Sequence, residues 1–432
     1  MSKYIIRGNK KLRGKIEISG SKNASLAILA TALLNKNEVT FYNVPQIEDV
    51  KTMISILKKI GCKVIIDCDK ITISSKDVKS YEIPKELMNK ARSTVILAGA
   101  LIGRFNKAVF YYPGGCNIGK RPIDIHLEGF EKIGINVKNI EDKIICETNK
   151  LKSNKIYLKF PSVGATENLI LASVFIKGTT CIYNAAKEPE IKDLVNCLNK
   201  MGARIYGAGT NKITIVGVRE LKKTSYRIMP DRIEAGTYLG VVTATKGNIE
   251  LTNINPTDLV NVLYEFKKMG CKVYFNNNTI KLYAPKRIKS VDINTQVFPG
   301  IPTDMQPIFT SILCVSNGTS IIQENIFEKR FEYCDELVKM GAKIKRIDDK
   351  KILVKGVNQL EGKKVNAKDL RGGASLIIAG LMANNETTIE NAFNILRGYE
   401  KIDKKLKSIG ANIKFVKWFL ERMWTNEKET SK

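Results

Sequence analysis

Histidine is almost absent: of 432 residues, only His126 is one. Nine cysteines (62, 68, 116, 146, 181, 197, 271, 314, 334) form an odd set without a C-x-x-C pair. Together they offer no recognisable zinc-ligand spacing, and no metal site is expected. Aromatic residues make up 7% of the chain, which gives no sign of stacking platforms for nucleic acid. Long hydrophobic runs are missing as well. Stretches such as ASLAILATALL (24–34) fall short of the roughly 20 apolar residues that cross a bilayer. The start, MSKYIIRGNKK, has no apolar signal-peptide core. These absences lead to an expectation of a soluble cytoplasmic protein with reduced thiols and no membrane insertion.

Acidic residues are in deficit, 43 against 71 Lys and Arg, for a net charge of +28. Such a charge raises nucleic acid as a partner. The basic residues, however, are spread along the whole chain, without a basic tail or an RNA-binding signature. A lysine-rich solvated surface, or a cleft for a polyanionic small molecule, accounts for the same charge. No specific nucleic-acid partner is expected.

What the chain has in abundance is repetition. LKKIGCKV, EKIGINV, NKMGARI, KKMGCKV, VKMGAKI and KSIGANI recur with glycines at Gly61, Gly134, Gly202, Gly270, Gly341 and Gly410. The spacing of 68 to 73 residues predicts six copies of one unit. In each, an amphipathic helix runs into a glycine suited to the left-handed position that ends a helix. Upstream lies a helix apolar around most of its circumference, which predicts burial on most sides. One unit reads strand, buried helix, strand, loop, outer helix, glycine, strand, strand. At the N-terminus, YIIRGNKKLRGK (4–15) matches ILVKGVNQLEGK (352–363) in register, so it should complete the sixth unit. Six units divide into two three-unit domains, 22–229 and 1–21 plus 230–432, with crossings near residue 21 and Pro230.

Two tiers of the unit differ between copies in a chemically pointed way. At the starts of the buried helices stand Ser21-Lys22-Asn23, Arg92-Ser93, Ser162-Val163-Gly164, Asp231-Arg232, Thr303-Asp304 and Arg371. At the loops into the outer helices stand Cys116 to Asp124, Lys329-Arg330 and Arg397. Helix N-termini favour anions, and Arg adds paired donors for phosphate or carboxylate. Lys22, Arg92, Arg121, Arg330, Arg371 and Arg397 around one cleft would hold a ligand with several negative groups. Taken singly, Asp231 and Asp304 read equally well as helix N-caps. The loop YYPGGCNIGKRPID (111–124) has two readings of its own. Cys116 is either incidental to a surface turn or a thiol activated by adjacent cations.

On the motifs SGSKNASL (19–26), ARST (91–94), PGGCNIGKRPIDIH (113–126), PDRIEAGT (230–237), PTDMQP (302–307), EKRF (328–331), DLRGGASL (369–376) and RGYEKID (397–403), the chain resembles the UDP-N-acetylglucosamine 1-carboxyvinyltransferases of the enolpyruvyl transferase family. The likeness runs from about residue 3 to about residue 414. It implies an α/β fold, a two-domain inside-out barrel with helices inside sheets and three units per domain. The implied reaction moves the enolpyruvyl group of phosphoenolpyruvate to the 3-hydroxyl of UDP-N-acetylglucosamine, releasing phosphate, at the start of peptidoglycan precursor synthesis. The resemblance implies Cys116 as proton donor and as the thiol alkylated by fosfomycin. Lys22, Arg121 and Arg397 would hold phosphoenolpyruvate, with Asn23, Arg330 and Arg371 nearby. Asp304 would take the hydroxyl proton, and Asp231 would support the site. Arg92, Arg121, Pro122, Ile123, Asp124, Ile125, Ser162, Val163, Asp304 and Ile326 would line the UDP-sugar side. No metal or organic cofactor is called for.

Lys22 and Arg397 come from different domains on this reading and are expected to meet only as the cleft closes. Phe160 stands where some members carry a lysine. The tail FVKWFLERMWTNEKETSK (415–432) reads as an extra capping helix or a frayed end. Three other functions remain beside this one: the sister transferase acting on shikimate 3-phosphate, which lacks the PGGC loop; a ligand-binding duplicate without turnover; and charge-driven nucleic-acid binding.

Overall fold

The computed structural model describes residues 2–112 and 123–417. Cys116, Arg121, Pro122 and the tail beyond Lys417 lie outside these residues. The six apolar helices form as the sequence requires. They are Lys22–Thr31, Ile96–Phe105, Val163–Ser173, Arg232–Ala244, Gln306–Leu313 and Leu370–Met382, each buried along nearly its whole length. A helix without a polar face can be stable in water only if other elements surround it. The outer helices differ in kind. Glu48–Lys59 buries Val50, Met53, Ile54, Ile56 and Leu57 on one face and leaves lysines on the other. All six signature glycines take positive φ, from 92° to 110°, as a left-handed helix ending demands.

Among the described residues, six sheets enclose these helices, and five share one four-stranded plan. In unit one, Val39–Tyr42 runs parallel to Thr224–Arg227 and antiparallel to Lys70–Ser74, which pairs in turn with Lys63–Asp67. Among its described residues unit two has three strands, and a parallel bridge, Glu82 to Val109, occupies the place of the fourth. Alternation sets the inner face: in Lys212–Val216 only Ile213 and Ile215 point into the core. The N-terminal strand Ser2–Arg7 lies between Glu386–Glu390 and Asn412–Lys417, antiparallel to both. It supplies the strand that the sixth unit lacks. The same pairing carries the last strand through Lys417, opposite Ser2, and Phe415 packs on Tyr4 at 5.2 Å between ring centroids. Residues 415–417 therefore belong to the sheet and not to a separate tail.

Two clusters of buried side chains result, one built from residues 24–228 and one from 4–18 with 233–413. The chain passes between them twice, and the two passages run side by side. Gly20 and Pro230 form an antiparallel bridge, Ser21 N donates to Met229 O at 2.8 Å, and Asp231 N donates to Ser19 O at 2.9 Å. A Cβ on Gly20 would run into the Asn43 carbonyl, which is why glycine stands there.

Candidate active site

Helix starts from both cores meet beside these passages. Asp231 caps its own helix, its Oδ1 accepting from Ile233 N and Glu234 N at 2.8 and 2.9 Å. Its Oδ2 accepts from Lys22 N at 3.0 Å, so one carboxylate fixes the first turns of two buried helices. The N-cap reading holds for Asp231. Asp304 behaves differently: no side-chain cap is formed at the short helix Thr303–Met305. Its Oδ1 lies 3.1 Å from Arg330 Nη2, and its Oδ2 lies 3.1 Å from both Nε and Nη2 of Arg371. Asp369 caps the helix that carries Arg371 and lies 3.9 Å from Arg330 Nη1.

Both arginine side chains are only 2% exposed, whereas Asp304 keeps 27% of its side chain open. Burial pushes the Asp304 carboxyl up, but Arg371 and Arg330, with Lys22 behind them, outweigh it and hold the group well below the usual carboxylate range. Arg371 also stacks over Tyr399 at 5.2 Å, and its Nη1, like Arg330 Nε, is buried without a hydrogen-bond partner. Buried donors of this sort carry a cost until something accepts from them.

A second carboxylate anchors the other cations. Asp49 receives Lys22 Nζ at 2.8 Å and Arg397 Nε at 2.9 Å. Lys22 and Arg397, one from each core, thus meet in this structure on Asp49. The expected residues thus fall into two groups, Lys22 and Arg397 on Asp49, and Arg330 and Arg371 on Asp304, with the Lys22 charge also felt by the Asp304 carboxyl.

The other expected residues, where described, stand at or beside helix starts of the first core, apart from Ile326. Asn23 is exposed on the second helical position. Ser162 caps its helix by accepting from Ala165 N at 3.3 Å. Ile123 is buried in the first core, with Ile125 and Val163 packed against it. Asp124 is paired with Lys159, and Ile326 N donates to Glu324 Oε1 at 2.9 Å. Arg92 is half-buried in a short 3-10 helix, and Phe160 is exposed.

Asp49 was missed by sequence reasoning, although a signal existed. An acid stands twelve residues before the signature glycine in three units: Asp49, Glu190 and Asp258. Two of them clasp an arginine of the other core. Glu190 takes Arg232 through Nε at 3.0 Å and Nη2 at 3.2 Å.

Among the described cysteines, Cys62, Cys146, Cys197, Cys271, Cys314 and Cys334 are buried, and burial pushes every one of these thiols up. Cys68 is exposed at a hairpin turn with φ 52°. No group of three or more His, Cys, Asp or Glu able to hold a metal occurs among the described residues. No helix of the described residues is long and apolar enough to cross a membrane.

Solved structures place this architecture in a class. The enolpyruvyl transferase NikO of Streptomyces tendae superposes with a TM-score of 0.86 over 96% of this chain and 98% of its own, at 22% identity. EPSP synthase of Acinetobacter baumannii follows with a TM-score of 0.75 and 17% identity. At such identities the likeness establishes the fold, the two-domain enolpyruvyl transferase architecture with helices enclosed by sheets. The model of the family "EPSP synthase (3-phosphoshikimate 1-carboxyvinyltransferase)" matches residues 6–406. UDP-N-acetylglucosamine 1-carboxyvinyltransferase 2 of Caldanaerobacter subterraneus subsp. tengcongensis is 48% identical over 96% of this chain and 99% of its own length. UDP-N-acetylglucosamine 1-carboxyvinyltransferase 1 of Carboxydothermus hydrogenoformans is 44% identical over the same shares. The chain belongs to the enolpyruvyl transferase family, in its UDP-N-acetylglucosamine 1-carboxyvinyltransferase branch.

Proposed function

We propose that the chain transfers the enolpyruvyl group of phosphoenolpyruvate to the 3-hydroxyl of UDP-N-acetylglucosamine and releases phosphate, in the cytoplasm, as the first committed step of peptidoglycan precursor synthesis. The supporting observation is the gathering of Lys22, Arg330, Arg371 and Arg397 around two carboxylates, in a chain with full-length relatives of that name. Shikimate 3-phosphate as acceptor is the reading not favoured by those relatives.

In this account residues 22–229 and 1–21 plus 230–432 are the two domains, and substrates lie between them. Lys22, Arg121 and Arg397 hold phosphoenolpyruvate, with Asn23, Arg330 and Arg371 beside it. Arg92, the Arg121–Ile125 run, Ser162, Val163 and Ile326 line the UDP-sugar side. The sugar oxygen forms a bond to C2 of phosphoenolpyruvate while Cys116 gives a proton to C3 and Asp304 takes the hydroxyl proton. The adduct then loses a proton from C3 as the C2–O bond to phosphate breaks, which restores the vinyl group. Paired as it is now, Asp304 is a weak base. An anion that draws Arg330 and Arg371 onto itself, satisfying their unpartnered N–H groups, would raise the carboxylate's basicity as it arrives. Fosfomycin would inactivate the enzyme by alkylating Cys116. Phosphate release that needs both substrates together tests this reading.

A further inference from the structure

Asp49 has no role in the assignments above, yet two of the assigned cations meet on it. Its side chain is 3% exposed. Lys22 Nζ lies 2.8 Å from Oδ2, while Arg397 reaches Oδ1 at 2.9 Å through Nε and Oδ2 at 3.4 Å through Nη2. Asp49 stands in the first turn of the outer helix Glu48–Lys59, among residues of the first core, and Arg397 follows a short helix of the second. Two buried cations this close repel each other unless a carboxylate lies between them. Each also has a long side chain with many rotamers to lose. The repeat supplies a contrast. Glu190, at the equivalent position of unit three, holds Arg232 alone with both carboxylate oxygens, so an acid–arginine pair suffices to join the cores at this tier. The added Lys22 is particular to unit one.

We propose that Asp49 is a positioning residue that holds Lys22 and Arg397 side by side, so that the phosphoenolpyruvate site is assembled before its ligand arrives. This rests on the reading of Lys22 and Arg397 as phosphoenolpyruvate ligands. Without the carboxylate the two cations separate, and the ligand must gather them itself at a cost in affinity. Asp49→Ala should raise the KM for phosphoenolpyruvate at least about tenfold, with the KM for UDP-N-acetylglucosamine held within about twofold. Asp49→Asn, which keeps one acceptor, should fall between Ala and wild type, and it serves where Ala does not fold. Asp49→Glu, which restores the charge, should recover part of the loss. A role limited to stability would lower Tm and the amount of active enzyme but leave both KM values unchanged. Calorimetric titration with phosphoenolpyruvate alone makes the test independent of turnover. Weakened binding in the Asn and Ala variants supports the proposal. Unchanged or tightened phosphoenolpyruvate binding, or equal shifts in both KM values, overturns it. A wild-type chain that binds phosphoenolpyruvate but transfers nothing would sink the proposed reaction and leave this inference standing.

Discussion

Arg371 donates through Nε to Asp304 Oδ2 at 3.1 Å, and its Nη2 lies at the same distance from that oxygen as an ion pair. With Arg330 on the other oxygen, the carboxylate stays ionised far into acid. A lowered folded-state pKa contributes stability that is complete above the unfolded value of about 4 and is lost as pH falls through the folded value. Removing Arg371 should bring the Asp304 carboxyl back up toward the ordinary range. In pH profiles of kcat/KM, Arg371→Ala should therefore move the acid limb to higher pH, beyond any loss in rate. An acid limb at the wild-type position would exclude Asp304 as the base.

Near the second passage between the cores, the opposite shift occurs. Asp193 accepts from Tyr226 OH at 2.6 Å and from Met229 N at 3.1 Å, yet burial pushes its carboxyl up to about 6. The charges of Glu190 and Asp258 act in the same direction. A raised carboxyl favours folding at low pH, and the benefit disappears as pH rises through the folded value. Asp193→Asn, which stays neutral, should thus gain Tm relative to wild type between pH 4 and pH 7, over a window set by values of about 4 and about 6. Parallel Tm curves across that range would contradict the assignment.

Thiol chemistry should divide the cysteines sharply. Six described thiols are buried and pushed up, so they should react slowly with iodoacetamide at neutral pH. Cys68 is exposed and should label. Fosfomycin should select Cys116 alone, and Cys116→Asp should keep turnover while removing sensitivity. Peptide mass spectrometry that places the adduct on Cys68 would remove Cys116 from its role.

The repeat was legible in the sequence because each unit must solve the same problem. Every outer helix has to stop and turn back, and only glycine does so without strain at φ near 100°, as at Gly202 and Gly410. Burial of the inner helices was likewise readable, since GASLIIAGLMA offers no face to water. Ser2–Arg7 could be placed in the sixth unit from its register alone. The pairing of charges was not readable in this way. Asp304 looked like any helix-start acid until Arg330 and Arg371 turned out to occupy both its oxygens, which depends on the fifth and sixth units converging. Asp49 sits in the first turn of a helix, where acidic residues are common for dipole reasons. Only its position twelve residues before Gly61, shared with Glu190 and Asp258, set it apart.

Cleft and surface cations should separate in kinetics. Lys22→Ala or Arg397→Ala should cut turnover at least about a hundredfold, as for loss of a positioned charge at a transition state. Lys58 and Lys59 are exposed, so a double change to Ala should leave turnover within about twofold. UDP-N-acetylglucosamine binding without phosphoenolpyruvate should survive in Lys22→Ala. Steady-state rates at one ionic strength check all of these, and equal losses in both sets would return the +28 net charge to the centre of the account.

The central claim is tested most directly by phosphate release from phosphoenolpyruvate, with UDP-N-acetylglucosamine and shikimate 3-phosphate offered in turn as acceptors and each substrate then omitted. Phosphate should appear only with phosphoenolpyruvate and UDP-N-acetylglucosamine together, in step with a product heavier than the acceptor by one enolpyruvyl group. Release with shikimate 3-phosphate, or no release with the UDP-sugar, would contradict it.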